Sequence, residues 1–367
     1  MKQFDIDALP RVNTLATQCS ATIRVLPEHF HVIEQLPFEP DGVGGHVWLK
    51  IQKRGINTDW LAGELAKFAG VPQVAIGYAG LKDRHAVTTQ WFSVNMEGVE
   101  QPNWSEFASD DITIVEQTAH GKKLKRGVLA GNRFKLILSN VLGEREQWQQ
   151  ALELVKQQGV PNYFGEQRFG HNGSNLNRAE YWFVSGKAPK KRNQKSIYLS
   201  AARSWLFNLI LARRIQDGNW DQALMGDVMA LAGTKASSFV CDQVDEVVKA
   251  RVTAMDIHPT GALWGCGISP NHSDSLQCEQ DVLNQWQDWQ HGLEKAGLSQ
   301  ERRSLRLFPD HFSWQFLDDA QLELQFFLPA GCYATAIMRE LAIISDAQHR
   351  NYYQDSNAIP RNEADTK

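Results

Sequence analysis

The texture of the chain changes twice, and that alternation limits the folds open to it. Up to about residue 155, short segments of period two alternate with amphipathic helices. Between 159 and 308 helical segments dominate, and from Phe312 the period-two pattern returns. A β-rich opening, a helical middle and a β-rich close favour one sheet domain interrupted by an insertion.

The individual segments carry this reading. Residues 46–52 alternate polar and apolar side chains for most of their length, as a half-buried strand must. Asn57-Thr58-Asp59 offers capping side chains for a helix with Leu61, Leu65 and Phe68 on one face, closed by Gly70. Residues 90–95 and 132–139 are rich enough in aromatic and branched side chains to be strands. Trp148, Leu152 and Val155 fall at i, i+4 and i+7, which predicts a helix over 144–158 ended by Gly159. Residues 160–177 have little helical period, whereas 197–215 and 275–297 read as helices. Phe312, Trp314 and Phe316 alternate, Asp318-Asp319 turns, and Leu322, Leu324, Phe326 and Leu328 alternate again, which predicts a hairpin. Gly331 then leads into a helix through Ile337, Met338, Leu341 and Ile344. The last twenty residues are polar and read as disordered.

Bulk properties narrow the class. Length of 367 residues suits about two domains, and 43% hydrophobic with 22% charged residues is ordinary for a soluble globular protein. No apolar run of membrane length and no secretory leader pattern is present, so no membrane is expected. Five scattered cysteines without a CxxC pair suit a reducing cytoplasm and argue against zinc or a redox dithiol. The net charge of −4 speaks weakly against nucleic acid, but its distribution matters more. Two stretches are strongly basic: Lys122-Lys123-Leu124-Lys125-Arg126, and Lys187 to Arg192 with Lys195 beyond. Either alone could be a solvated loop; two in one acidic protein point to a surface that tracks phosphates.

Four segments carry candidate chemistry. In Gly77-Tyr78-Ala79-Gly80-Leu81-Lys82-Asp83-Arg84-His85, glycines permit turns and close approach of a ligand. Cations on both sides of Asp83 keep its carboxylate ionised, as a nucleophile or general base requires. On these residues alone a charged β-turn is the favoured reading, since ion-pair networks perturb carboxylates too. Gly131-Asn132-Arg133-Phe134 offers an amide suited to the polar edge of a uracil and a ring for its face, but alone it reads better as a strand start with a core Phe. The stretch from Val160 to Gly170 interleaves aromatics with Asn162, Gln167 and Arg168, which fits RNA contacts and an ordinary packed loop about as well. Leu328-Pro329-Ala330-Gly331 precedes Tyr333, a possible stacking ring, though alone it reads better as a strand-to-helix turn. GxGxxG and Walker loops and a zinc-deaminase pattern are all missing, so the chemistry is expected to need no cofactor.

In this order the segments resemble the TruD family of tRNA pseudouridine synthases over nearly the whole chain. Ala79 to Ala86 looks like the family's catalytic motif, in which the Asp is the nucleophile, here Asp83. Gly131-Asn132-Arg133-Phe134, the stretch from Pro161 to Gly170, Leu328 to Gly331, and Pro27-Glu28-His29-Phe30 with Val32 and Glu34 are similar to further family motifs. His29 stands where the family usually has Asp, and Tyr333 where it often has Phe.

The resemblance implies an α+β fold: a catalytic domain of residues 1–158 plus 309–367 with a mixed, largely antiparallel sheet, interrupted by an inserted α/β domain over 159–308. It implies a cleft for RNA and a substrate, uridine 13 in the D arm of tRNA, flipped out against Phe30, Asn132, Phe134 and Tyr333. Asp83 would attack the ribose anomeric carbon or the uracil ring; Arg24 or Lys82 would pair with it, Arg24 being preferred. Lys122, Lys123, Lys125, Arg126 and Arg168 are the expected RNA contacts. No metal and no obligate protein partner is expected.

Overall fold

In the computed structural model, which describes residues 4–233 and 237–348, the twelve-residue strand Gly131–Leu142 organises the first of two units. Phe30–Gln35 and Gln321–Pro329 flank it, both antiparallel. Phe30–Gln35 runs parallel to Val87–Asn95, which pairs antiparallel with His46–Arg54, itself antiparallel to Ile112–His120. Asp310–Phe316 closes the other edge as the hairpin partner of Gln321–Pro329. Ile76–Tyr78, Ser20–Ile23 and Ile343–Asp346 complete a ten-stranded sheet that draws on both ends of the chain. Among the described strands of this sheet only Phe30–Gln35 with Val87–Asn95, and Ser20–Ile23 with Ile343–Asp346, pair in parallel. The fold is α+β with a mixed, largely antiparallel sheet.

Helix Thr58–Phe68 packs on one face of this sheet. Asn57 caps it by accepting from the Asp59 and Trp60 amides, and Leu61 and Leu65 bury against Leu49, Ile51 and Phe92. The same sheet face continues past this apolar patch into polar residues, which become the site. Gly131 is required here by close approach: a Cβ would stand 2.2 Å from the Leu328 carbonyl oxygen.

The second unit comprises Glu153–Phe308 together with Met1–Thr14, as far as it is described, and Cys332–Leu341. Helix Arg192–Gln216 runs through its core, with Trp205, Phe207 and Leu211 buried against Phe169, Leu176 and Trp289. The helical reading of this middle is corrected in part. Val228–Leu231, Ser238–Val240, Ile257–Leu263 and Glu301–Ser304 form a four-stranded sheet. Pro259 and Gly261 disguise the third of these strands; at Gly261 a side chain would collide with Leu305 and crowd Phe207.

Two helix boundaries also differ from the periodic reading. The helix expected over 275–297 is two, Ser273–Leu283 and Gln287–Lys295, with a tight turn at Asn284–Trp286. Beyond that turn Trp289 is completely buried and donates to Glu180. The helix expected to run through Ile344 ends at Leu341, because Ile343–Asp346 is extended and pairs with Ser20–Ile23. Local period cannot distinguish the last turn of a helix from a strand whose partner lies over 300 residues away. Residues 349–367, nearly all of the tail expected to be disordered, lie outside the described residues.

Candidate active site

Register places the sheet's chemistry in rows, because residues opposite one another share a face. Lys53 lies opposite Thr88, Thr88 opposite Val32, Val32 opposite Phe134, and Phe134 opposite Phe326. One row along, Glu34 lies opposite Asn132, which lies opposite Leu328. A single sheet face thus carries Phe30, Glu34, Lys53, Thr88, Asn132 and Phe134.

The segment 79–86 connects Ile76–Tyr78 to Val87–Asn95 without regular structure, and it is held down at several points. Gln90 Nε2 donates to the Gly80 carbonyl at 3.2 Å, while Thr58 Oγ1 accepts from the Lys82 amide at 3.1 Å and meets Gln90 Oε1 at 3.0 Å. Lys82 Nζ reaches Glu34 at 2.8 Å, with side-chain exposures of 6% and 0%, so this charge pair is fully enclosed. Asp83 stays 27% exposed and available to a ligand. One of its oxygens, Oδ2, accepts from Arg24 Nη1; the other, Oδ1, accepts from the His85 amide at 3.1 Å. Of the two cations considered for Asp83, Arg24 makes the ion pair and Lys82 is committed to Glu34.

Arg24 is itself anchored. Its Nε donates to Asp346 Oδ1 at 3.2 Å and its Nη2 to Asp346 Oδ2, and its guanidinium lies 5.6 Å from the Phe30 ring centre. Burial pulls this guanidinium down. The hydrogen bond to Asp346 and the charges of Asp83 and Asp346 together outweigh that, so it lies above its ordinary range. Lys53 goes the other way. Burial, helped by the charge of Lys82 and opposed by Asp83, lowers it to about 8, and Nζ donates to the Ile56 carbonyl at 2.6 Å.

Asp83 is therefore tied to the sheet face by two routes. Through Arg24 it connects to Phe30, whose ring meets Phe134 edge-on at 6.4 Å. Through its neighbour Lys82 it connects to Glu34 and so to Asn132. Asn132 Oδ1 is buried with no hydrogen-bond partner among the described residues, an acceptor waiting for a donor. Phe134 is only 7% exposed and stacks on Phe326 at 5.3 Å, so it presents a rim rather than an open face.

The other expected site residues distribute as follows. Lys122, Lys125 and Arg126 are exposed, and Lys123 is half-buried with Nζ donating to the Val74 carbonyl. Arg126 donates to the Tyr78 hydroxyl at 2.6 Å and packs over that ring. Gly77 was expected to leave room for a ligand, and here the reading is corrected. It lies within Ile76–Tyr78, and its missing side chain makes room for the Leu124 carbonyl and Ser93 Oγ, 2.3 and 2.5 Å from where a Cβ would be. Nothing lies within 4 Å of that position at Gly80. His29 bonds Ser139 Oγ at 3.1 Å. In the second unit, Arg168 donates to the Tyr333 hydroxyl and to Ser200 Oγ, and the Tyr333 ring packs beside Phe164. Lys190, Lys191 and Arg192 are exposed there at the start of helix Arg192–Gln216.

Sequence reasoning assigned no role to Gln90, Asp346 or Glu34, and saw Thr58 only near a helix start. Glu34 did carry a signal, since it occupies the third buried position of the pattern Phe30, Val32, Glu34. A carboxylate at such a position must have a buried partner.

Comparison with known proteins extends over most of the chain. A family model described as tRNA pseudouridine synthase D (TruD) matches residues 12–190 and 188–341. A protein of Nitrosococcus oceani named tRNA pseudouridine synthase D is 46% identical over 340 residues, covering 92% of this chain and 94% of its own. One of the same name from Xanthomonas campestris pv. campestris is 44% identical over 356 residues, covering 94% and 96%. The solved structure of a Methanosarcina mazei protein assigned as tRNA pseudouridine synthase D superposes with a TM-score of 0.68 at 20% identity, covering 90% of this chain and 95% of that one, and so shares the fold. With its motifs in order and this coverage, the chain belongs to the tRNA pseudouridine synthase D (TruD) family.

Proposed function

We propose that the protein isomerises uridine 13 in the D arm of tRNA to pseudouridine, without a cofactor, with Asp83 as nucleophile and the base flipped out of its stack. The observation that carries this reading is the linkage of an accessible carboxylate, Asp83, to a sheet face whose Asn132 Oδ1 lacks a donor. Uracil N3–H is such a donor. Phe30 and Phe134 supply apolar edges for the ring. Attack by Asp83, at the ribose anomeric carbon or at C6 of uracil, breaks or prepares the glycosidic bond. The uracil then turns within the pocket and its C5 bonds to the anomeric carbon. The bond to Asp83 breaks and returns the carboxylate, and N1 takes up a proton as C5 loses one. Phe134 has no proton acceptor, so the C5 proton leaves to Asp83 or to water.

The product assay decides between this and its competitors. With an unmodified tRNA transcript, the protein is expected to give one carbodiimide-dependent reverse-transcription stop in the D arm, release of tritium from C5-labelled uridine, and no free uracil. Binding without any stop would mark a non-catalytic RNA binder, and free uracil a glycosidase.

Affinity for the tRNA should come largely from phosphate contacts. Lys122 and Lys125 are exposed, with no side-chain partner among the described residues, whereas Lys123 and Arg126 are partly engaged. Changing all four to Ala is expected to weaken tRNA binding and to lower the slope of log affinity against log salt by about two. An unchanged slope would remove this stretch from the RNA surface.

A further inference from the structure

The C-terminal strand brings a second carboxylate to the site. Asp346 ends Ile343–Asp346 and lies opposite Ile23, directly before Arg24. Arg24 has a φ of 55°, in the left-handed region that a branched or long side chain rarely adopts, and its carbonyl accepts from Gln348 Nε2 at 2.9 Å. Asp346 Oδ1 also accepts from the Gln348 amide at 3.1 Å, so the carboxylate is fixed before it meets the guanidinium.

The donors of Arg24 are then divided in a defined way. Nε and Nη2, which form one edge of the fork, go to Asp346; only Nη1 goes to Asp83. A guanidinium free to turn would present a two-donor edge to the nearest carboxylate and bind both of its oxygens. Asp346 is side-chain exposed by only 13%, enough of an enclosure to make this orientation persistent. Among the described residues Asp83 Oδ1 accepts a single hydrogen bond, from the His85 amide.

We propose that Asp346 is a positioning residue for Asp83, holding one edge of Arg24 so that only Nη1 restrains the nucleophile and Oδ1 stays open for attack. This rests on the reading of Asp83 as nucleophile. Asp346 acts through Arg24 and touches neither substrate nor reacting atoms. Its loss should therefore lower kcat and leave tRNA recognition alone.

The test is single-turnover and steady-state kinetics on a tRNA transcript with Asp346→Asn, Arg24→Lys, the double variant and Asp83→Asn, all checked for folding by thermal unfolding. Asp346→Asn is expected to lower kcat by about ten- to a hundredfold, the scale of a misplaced reacting group, with KM and tRNA affinity changed by less than about twofold. Arg24→Lys keeps the charge but loses the fork and should fall similarly. If both act through the same fork, the double variant loses no more than Arg24→Lys alone. Losses that multiply, or a wild-type kcat in either single variant, would overturn the role of Asp346. Arg24→Lys covers the case in which Asp346→Asn does not fold. An active Asp83→Asn protein would instead overturn the nucleophile and this proposal with it, whereas an inactive one beside a fully active Asp346→Asn removes Asp346 alone.

Discussion

Asp83→Asn is expected to bind tRNA as the wild type does and to convert none of it. The substitution keeps the shape of the side chain, and its amide oxygen can still accept from Arg24 or from the His85 amide. Arg24 is not left uncompensated, because Asp346 still takes two of its donors. The fold should therefore survive with a change in stability of about 1 kcal/mol or less. Turnover is another matter. A neutral amide is a far poorer nucleophile, and removal of a covalent nucleophile typically costs more than about 10⁴-fold. Isomerisation leaves mass unchanged, so the measurement is tritium release together with carbodiimide-dependent stops. A variant that still modifies tRNA at a comparable rate would sink the assignment of Asp83.

Phe134 should show two effects that separate cleanly. Its ring is stacked on Phe326 and edge-on to Phe30, nearly all of it inside the unit's core. Phe134→Ala is thus expected to cost about 3–5 kcal/mol of stability, as large-to-small changes of a buried aromatic do. That loss alone could mimic a catalytic defect, so the informative variant is Phe134→Leu. Leu fills most of the volume and should cost about 1.5 kcal/mol or less in stability. If the rim of the ring touches the base, losing it removes about 1–3 kcal/mol of stacking and lowers kcat/KM by roughly tenfold or more. Wild-type kcat/KM in a folded Phe134→Leu protein would confine the ring to packing. A stability loss in Phe134→Ala below about 1 kcal/mol would show that the ring is not a core residue in solution.

Much of this molecule was legible without coordinates, and the legible parts share a property. The helix Thr58–Phe68, the strand His46–Arg54 and the hairpin of Asp310–Phe316 with Gln321–Pro329 each announce themselves by a period and a local stop signal. The motif around Asp83 is likewise contiguous, so its candidate chemistry could be read from adjacent residues. Elements whose burial is unusual were lost. Phe30–Gln35 hides its period behind a buried Glu34, and Ile257–Leu263 behind Pro259 and Gly261.

What the sequence by itself determined was the family and the sheet-forming character of both chain ends. The first rests on the resemblance of separated motifs in order, the second on residue type and spacing along local stretches. Only the tertiary structure decided which cation faces which carboxylate. Lys82 and Arg84 are the neighbours of Asp83 in the chain, yet Lys82 turns to Glu34, and the partner of Asp83 is Arg24, 59 residues away. Arg24 in turn is held by Asp346, 322 residues further on. Charge pairing in a partly buried site is settled by distance and desolvation, since burial leaves a charged form favoured only where an opposite charge lies within its own reach. Those distances are set by strand register across the sheet, and register between remote segments is written in no local pattern.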